Sequence, residues 1–217
     1  MPSAAINEQF DPRDETGVIR RQKQHRFGNF VGIPIRPIGI VATIRAEKAM
    51  PVFWKRGFAD TSLQELERAT GVNKSGLYSE FRDKEDLFVA CLRHYLESQE
   101  KRGFLTKEPL GWKNVETFLK NGPLNKGEQQ GCFSVNSMRE FAILPDEAYG
   151  VVTENRALLE RLLAMNIEAE KPRIAPSAIA EIVLSFFSGL CIEHNLKSGK
   201  TSSNRKIENF ITALHSL

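Results

Sequence analysis

Apolar residues recur at helical spacing from Thr43 onward: Ile44, Ala49, Val52 and Phe53 lie close to 3.6 residues apart, and Gly57 behind Lys55 and Arg56 supplies a stop. This predicts a first helix, with Pro51 inside it either kinking it or delaying its start. In "TSLQELERATG", Ser62 followed by Glu65 matches a capping box, Leu63, Leu66 and Ala69 form one apolar face, and Gly71 ends the run. Asn73 is placed to cap a third helix through Phe81, and Asp83 a fourth through about Arg102. Further helical patterns cover residues 112–120, 132–144, 147–170, 177–197 and 204–217. Breakers stand between them at "NGPLNKG", Pro145, "KPRIAP" and "SGKTSSN". No strand pattern competes, so the expected fold class is all-α.

Residues 1–40 have no such period. Pro2, Pro12, Pro34 and Pro37 interrupt them, and Arg20, Arg21, Lys23, Arg26 and Arg36 follow one another without an intervening acid. This reads as an irregular basic arm, suited to a phosphate backbone and equally to a solvated extension.

The chain has 217 residues, 41% hydrophobic and 26% charged, which suits a globular protein with a sizeable core and excludes a fibrous one. Its net charge of +3 is unevenly spread. Residues 1–84 carry 14 Lys and Arg against 10 Asp and Glu, and the remainder 16 against 17, so a polyanion would be met by the first part. The three cysteines, Cys91, Cys132 and Cys191, form no secreted disulfide framework, which favours a reducing, cytoplasmic location. "RFGNFVGIPIRPIGIVATI" is apolar, but Asn29, Pro34, Arg36 and Pro37 break it short of a membrane span.

Two short helices joined by a turn of about three residues, Gly71 to Asn73, are a helix-turn-helix, whose second helix enters the major groove. On that second helix Leu77 and Phe81 share an inward side, while Ser75, Tyr78, Ser79 and Arg82 lie along the neighbouring one. Lys74 is suited to guanine or phosphate, Ser75 to a base edge and Tyr78 to a phosphate oxygen. Gly76 would let the backbone approach DNA, and Asn73 begins the helix. Thr61 and Ser62, at the start of the preceding helix, present hydroxyls suited to phosphate.

The stretch "FWKRGFADTSLQELERATGVNKSGLYSEFRDKEDLF" resembles the DNA-binding domain of TetR-family transcriptional regulators over about 45 residues from Ile44. The shared features are Phe53, Gly57 and Phe58, then Thr61 and Ser62, the Gly71-Val72 turn, Leu77-Tyr78, Phe81, and Lys84-Glu85. The resemblance implies DNA contacts from Thr61, Lys74, Ser75, Tyr78 and Lys84. It also implies a DNA-binding domain over residues 41–84 and a helical effector-binding and dimerisation domain over residues 85–217. The last two helices, 177–197 and 204–217, would form the homodimer interface, and two recognition helices would meet a palindromic operator. The implied activity is that of a ligand-responsive repressor.

"GCFSVNS", residues 131–137, resembles a motif that lines the sensor core in one branch of the family. Trp112, Phe118, Cys132, Phe133, Met138, Phe141 and Phe187 are the candidates for an apolar or amphipathic effector site, with plain core packing the alternative for each. Cys132 at a helix start suggests a second mode, a repressor triggered by oxidants or electrophiles. "CLRH" and "CIEH" pair Cys with His three residues apart, but packing explains both, so no metal and no cofactor are expected. The sequence has no phosphate loop, nucleophile elbow or paired catalytic carboxylates, which argues against an enzyme.

Overall fold

In the computed structural model, α1 runs unbroken from Ile40 to Arg56 and turns Ala42, Ala46, Ala49, Phe53 and Trp54 inward. Pro51 lies inside it without ending it. A proline there costs about 3 kcal/mol, which burial of the adjacent Phe53 and Trp54 offsets. The structure describes residues 39–97, 101–122, 129, 131–195 and 200–215, without the side chains of 101, 102 and 200–202. All but the last two residues of the basic arm lie outside this set.

Helix α2, Leu63–Thr70, begins with the expected capping box: Glu65 N–H donates to Ser62 Oγ (3.3 Å) and Ser62 N–H to the Glu65 carboxylate (3.0 Å). Gly71 ends it at φ +75°, a left-handed conformation that glycine adopts without a Cβ penalty. Ser62→Ala is expected to cost about 1 kcal/mol, read as a melting midpoint lower by roughly 2–4 °C.

Helix α3, Lys74–Tyr78, is shorter than its sequence suggests. Asn73 caps it as expected, accepting from Gly76 N–H at 2.9 Å. The chain then turns, with Glu80 N–H reaching back to the Leu77 carbonyl (3.2 Å), and Phe81 packs inward from outside the helix.

Asp83 accepts from Asp86 N–H (2.7 Å) and opens α4, Lys84–Glu97. Then follow α5 (Lys101–Leu105), α6 (Trp112–Asn121), α7 (Phe133–Ser137), α8 (Asp146–Glu168), α9 (Pro176–His194) and α10 (Lys200–Leu214). The helix expected over 132–144 is only α7 and a 3-10 turn, Met138–Glu140. There is no β-strand among the described residues.

Helix α1 packs along α4 and α2, α8 lies against α9 and α4, and α6 is held by α5, α8 and α10. Where α1, α4 and α7 meet, Phe53, Trp54, Phe58, Phe88, Tyr95 and Phe133 form one aromatic cluster with centroid separations of 5.0 to 6.3 Å. It joins α1 and the turn that leads into α2 to α4 and α7. Helix α9 is long and apolar enough to cross a bilayer by length and composition. It buries Ile179, Val183, Phe187 and Leu190 in the body and leaves Ile182 and Ile192 exposed.

Candidate nucleic-acid interface

The outer surface of α3 follows from the burial of its other side. Leu77 is 1% exposed and Phe81 4%, whereas Asn73, Lys74, Ser75, Tyr78 and Ser79 are exposed together. The Lys74 ammonium lies 5.8 Å from the centre of the Tyr78 ring, so a cation and an aromatic face are presented side by side. Ser79 Oγ donates to the Gly76 carbonyl at 2.9 Å, which fixes its hydroxyl on the helix end.

Gly76 has a tighter role than backbone approach to DNA. It is half-buried, and a Cβ built on it would sit 3.2 Å from Val72 Cβ, so the turn itself leaves little room for a side chain. Its carbonyl also accepts from the Arg45 guanidinium, which pairs with Glu80 at 3.6 Å. Arg45 thereby anchors α3 to α1, a role the sequence reading missed. Nothing set it apart from the other charges of that helix, Glu47, Lys48, Lys55 and Arg56.

Three of the residues expected to meet DNA make contacts within the protein at the edge of this surface. Thr61 is only 2% exposed and donates its hydroxyl to the Gly57 carbonyl at 2.6 Å, so it ties the turn internally and its Oγ1 is not presented to a phosphate. Ser62 is exposed, but its Oγ serves the capping box, and the Glu65 carboxylate lies on it at 2.9 Å. These hydrogen bonds hold the Glu65 carboxyl below its ordinary pKa, and Arg56 pairs with it at 2.6 Å. Lys84 bends inward: its ammonium sits 4.5 Å over the Phe58 ring and donates to the Ala59 carbonyl at 3.5 Å. Partial burial lowers its pKa, opposed by Glu140 and Asp60.

A contact from the body closes on the same turn. Glu140 accepts from Phe58 N–H (2.8 Å) and Ala59 N–H (2.9 Å) with its two carboxylate oxygens. Gly57 at φ +84° makes room for it, since a Cβ there would fall 2.8 Å from Glu140 Oε2. Nothing local in the sequence signals this pairing, which joins residues more than 80 positions apart.

The structure places the effector candidates in several settings. Phe118 stacks on Phe187 (4.8 Å). Cys132 and Phe133, 3% and 1% exposed, belong to the aromatic junction. Phe141 packs on Tyr149 (5.4 Å), and Met138 is partly buried nearby in the chain. Trp112 lines a cleft of about 330 Å³ with Glu170, Arg173 and His215. A second cleft, about 400 Å³, runs between the end of α1 and the α7 turn, with Phe133, Arg139 and Glu140 on one wall and Trp54, Arg56 and Asp60 on the other.

Tyr95 donates its hydroxyl to Cys132 Sγ at 3.3 Å, and Ser134 Oγ is 3.2 Å from the same sulfur. Burial raises the Tyr95 pKa well above its ordinary value, so the phenol stays a donor. Cys91 donates to the Ala46 carbonyl (3.3 Å) in full burial, which raises its thiol pKa. His194 is buried with Nδ1 3.3 Å from the Leu190 carbonyl. Among the described residues no group of three or more His, Cys, Asp or Glu is arranged to hold a metal ion.

A short capped helix pair on a helical body defines the helix-turn-helix class of all-α proteins. Within it, residues 47–91 match the family model of the bacterial regulatory proteins of the tetR family, which supports a TetR-family regulator. The chain is 30% identical over 123 residues to the HTH-type transcriptional repressor ComR of Escherichia coli (strain K12), covering 54% of this chain and 59% of that protein. It is 36% identical over 52 residues to the uncharacterized HTH-type transcriptional regulator YezE of Bacillus subtilis (strain 168), covering 24% of this chain and 27% of that one. The chain thus aligns with less than two thirds of either relative. Among solved structures, a cysteine mutant of the TetR family transcriptional regulator CifR, complexed with 26-base-pair operator DNA, superposes with TM-score 0.66 at 21% identity, covering 83% of this chain and 99% of CifR. Reduced E. coli NemR gives 0.68 at 20% identity, covering 82% and 96%. These two likenesses establish the fold.

Proposed function

We propose that this protein is a dimeric DNA-binding transcriptional repressor that a small apolar or amphipathic effector releases from a palindromic operator. The observation that carries the reading is the outward set on α3, with Asn73, Lys74, Ser75, Tyr78 and Ser79 exposed over a buried Leu77. A helix so anchored can enter a major groove without losing its own packing. The repressor name of one relative and the operator complex of a structural neighbour support the same reading. Residues 41–84 serve as the DNA-binding domain and residues 85–217 as the effector and dimer domain, and the work is cytoplasmic, with no catalytic step.

Dimerisation through α9 and α10 is favoured by the exposed Ile182 and Ile192 and by the Phe186–Phe210 stack (3.9 Å) that ties the two helices together. A two-fold dimer sets two recognition helices about 34 Å apart, one turn of duplex. Release then requires an effector that binds better to a body state with a different spacing. A reversible effector is preferred over a thiol trigger because Cys132 is 3% exposed and accepts a hydrogen bond from Tyr95.

DNA selected from a random pool by the wild-type chain supplies the test. Lys74→Ala and Tyr78→Phe are each expected to weaken gel-shift affinity about tenfold, or 1.4 kcal/mol. Lys74→Ala should also lower the slope of log affinity against log salt by about one if it contacts phosphate. Melting midpoints should stay within about 2 °C, since both side chains are exposed. Unchanged affinity in both variants sinks the assignment.

A further inference from the structure

Besides the packing of α2 on α1 and the Arg45 anchor of α3, the turn that leads into α2 meets the body in two chemically different ways. The aromatic junction is apolar and tolerates small rotations. The second link is Glu140, whose two carboxylate oxygens accept from the consecutive amides of Phe58 and Ala59. Two hydrogen bonds to adjacent N–H groups fix direction as well as distance, because each weakens steeply as its angle opens.

The turn they hold, residues 57–60, feeds directly into α2, and Lys84 rests on the same turn through the Phe58 ring and the Ala59 carbonyl. Glu140 itself ends the 3-10 turn that continues α7, the segment of "GCFSVNS". The cleft of about 400 Å³ opens beside it, with Glu140, Arg139 and Ser137 on its wall. A rearrangement of the α7 segment therefore has a rigid polar connection to the head.

We propose that Glu140 is a positioning residue for DNA reading: its carboxylate sets the orientation of the head on the body, and so the spacing at which two heads meet the operator. The proposal rests on the DNA-binding reading above and adds a residue to it. Glu140 stays away from the DNA. The contact depends on the left-handed Gly57, where a side chain would collide with the carboxylate.

The test uses full-length wild type, Glu140→Ala, Glu140→Gln and Lys74→Ala on the operator selected by wild type, rebuilt with single base pairs inserted or removed at its centre. Wild type is expected to lose about tenfold in affinity when the spacing changes. Glu140→Ala should weaken about tenfold on the native operator and show only about a twofold penalty for altered spacing, because an untied head adapts to either. Glu140→Gln, which keeps one acceptor oxygen, should fall between them. Lys74→Ala should weaken every spacing by one factor.

The positioning role is overturned if Glu140→Ala keeps native affinity with the full spacing penalty, or if it weakens all spacings equally. A wild-type chain that selects no DNA overturns the DNA reading and the positioning role together. Hydrogen exchange then separates the causes: Phe58 and Ala59 amides exchanging about tenfold faster in Glu140→Ala mean that the carboxylate contact exists but serves something other than DNA.

Discussion

Asn166→Leu is expected to destabilise the protein by about 3 kcal/mol or more, although the residue lies on α8 far from α3 in sequence. Asn166 is fully buried, and its amide is used on both sides. Nδ2 donates to the Leu105 and Leu162 carbonyls, both at 2.8 Å. Oδ1 accepts from Asn114 Nδ2 (2.9 Å) and Gly111 N–H (3.1 Å). Asn114 in turn donates to the Lys107 and Pro109 carbonyls (2.6 and 3.3 Å). The two asparagines thus satisfy the backbone of the α5–α6 connection where water is excluded.

Leucine has the same branched outline as asparagine but offers no polar partner, so the Leu105 carbonyl and the Gly111 N–H lose theirs. An unsatisfied buried group costs about 1–3 kcal/mol, and at least two are created. The check is chemical denaturation at constant slope, with the midpoint of thermal melting lower by roughly 6–12 °C. A change under about 1 kcal/mol would mean that the connection repairs its own hydrogen bonds. Asn114→Leu combined with Asn166→Leu should cost less than the sum of the two, since they share one bond.

That network marks the boundary of what the sequence disclosed. Local chemistry was legible. Ser62 with Glu65, Asn73 and Asp83 each act within four residues, and all three caps form as expected. The inward placement of Leu77 and the outward placement of Lys74 and Tyr78 followed from period alone.

Pitch was not legible: apolar residues at three or four positions apart suit an α-helix or a 3-10 turn, so the break after Ser137 left no mark in the pattern. Polar contacts across the chain were not legible either. Glu140 on Phe58 and Asn166 on Gly111 join residues 82 and 55 positions apart, and either side chain would pass alone for a solvated one. The roles of the effector candidates were not legible for a related reason. An aromatic residue that packs in a core has the same sequence signature as one that lines a pocket.

Phe88→Ala should cost about 3–5 kcal/mol, the largest effect expected of a single apolar truncation at the junction. Phe88 is fully buried on α4 and meets three rings nearly edge-on: Phe53 of α1 at 5.0 Å, Phe58 of the turn at 5.3 Å and Phe133 of α7 at 5.5 Å. Each partner comes from a different segment, so collapse of the cavity would have to move α1, the turn or α7. That restraint places the cost in the upper part of the range, since the penalty grows with the cavity that survives.

Edge-to-face pairs add about 0.5–1.5 kcal/mol each beyond area, so a cycle with Phe133→Leu should report a coupling of that order. Phe133 is thereby tested as a packing residue: additivity within about 0.3 kcal/mol would remove it from the junction and return it to the effector candidates. Phe88→Leu refills most of the space and should recover more than half of the loss, measured by urea denaturation at unchanged slope. If it recovers nothing, ring geometry rather than volume holds the junction together.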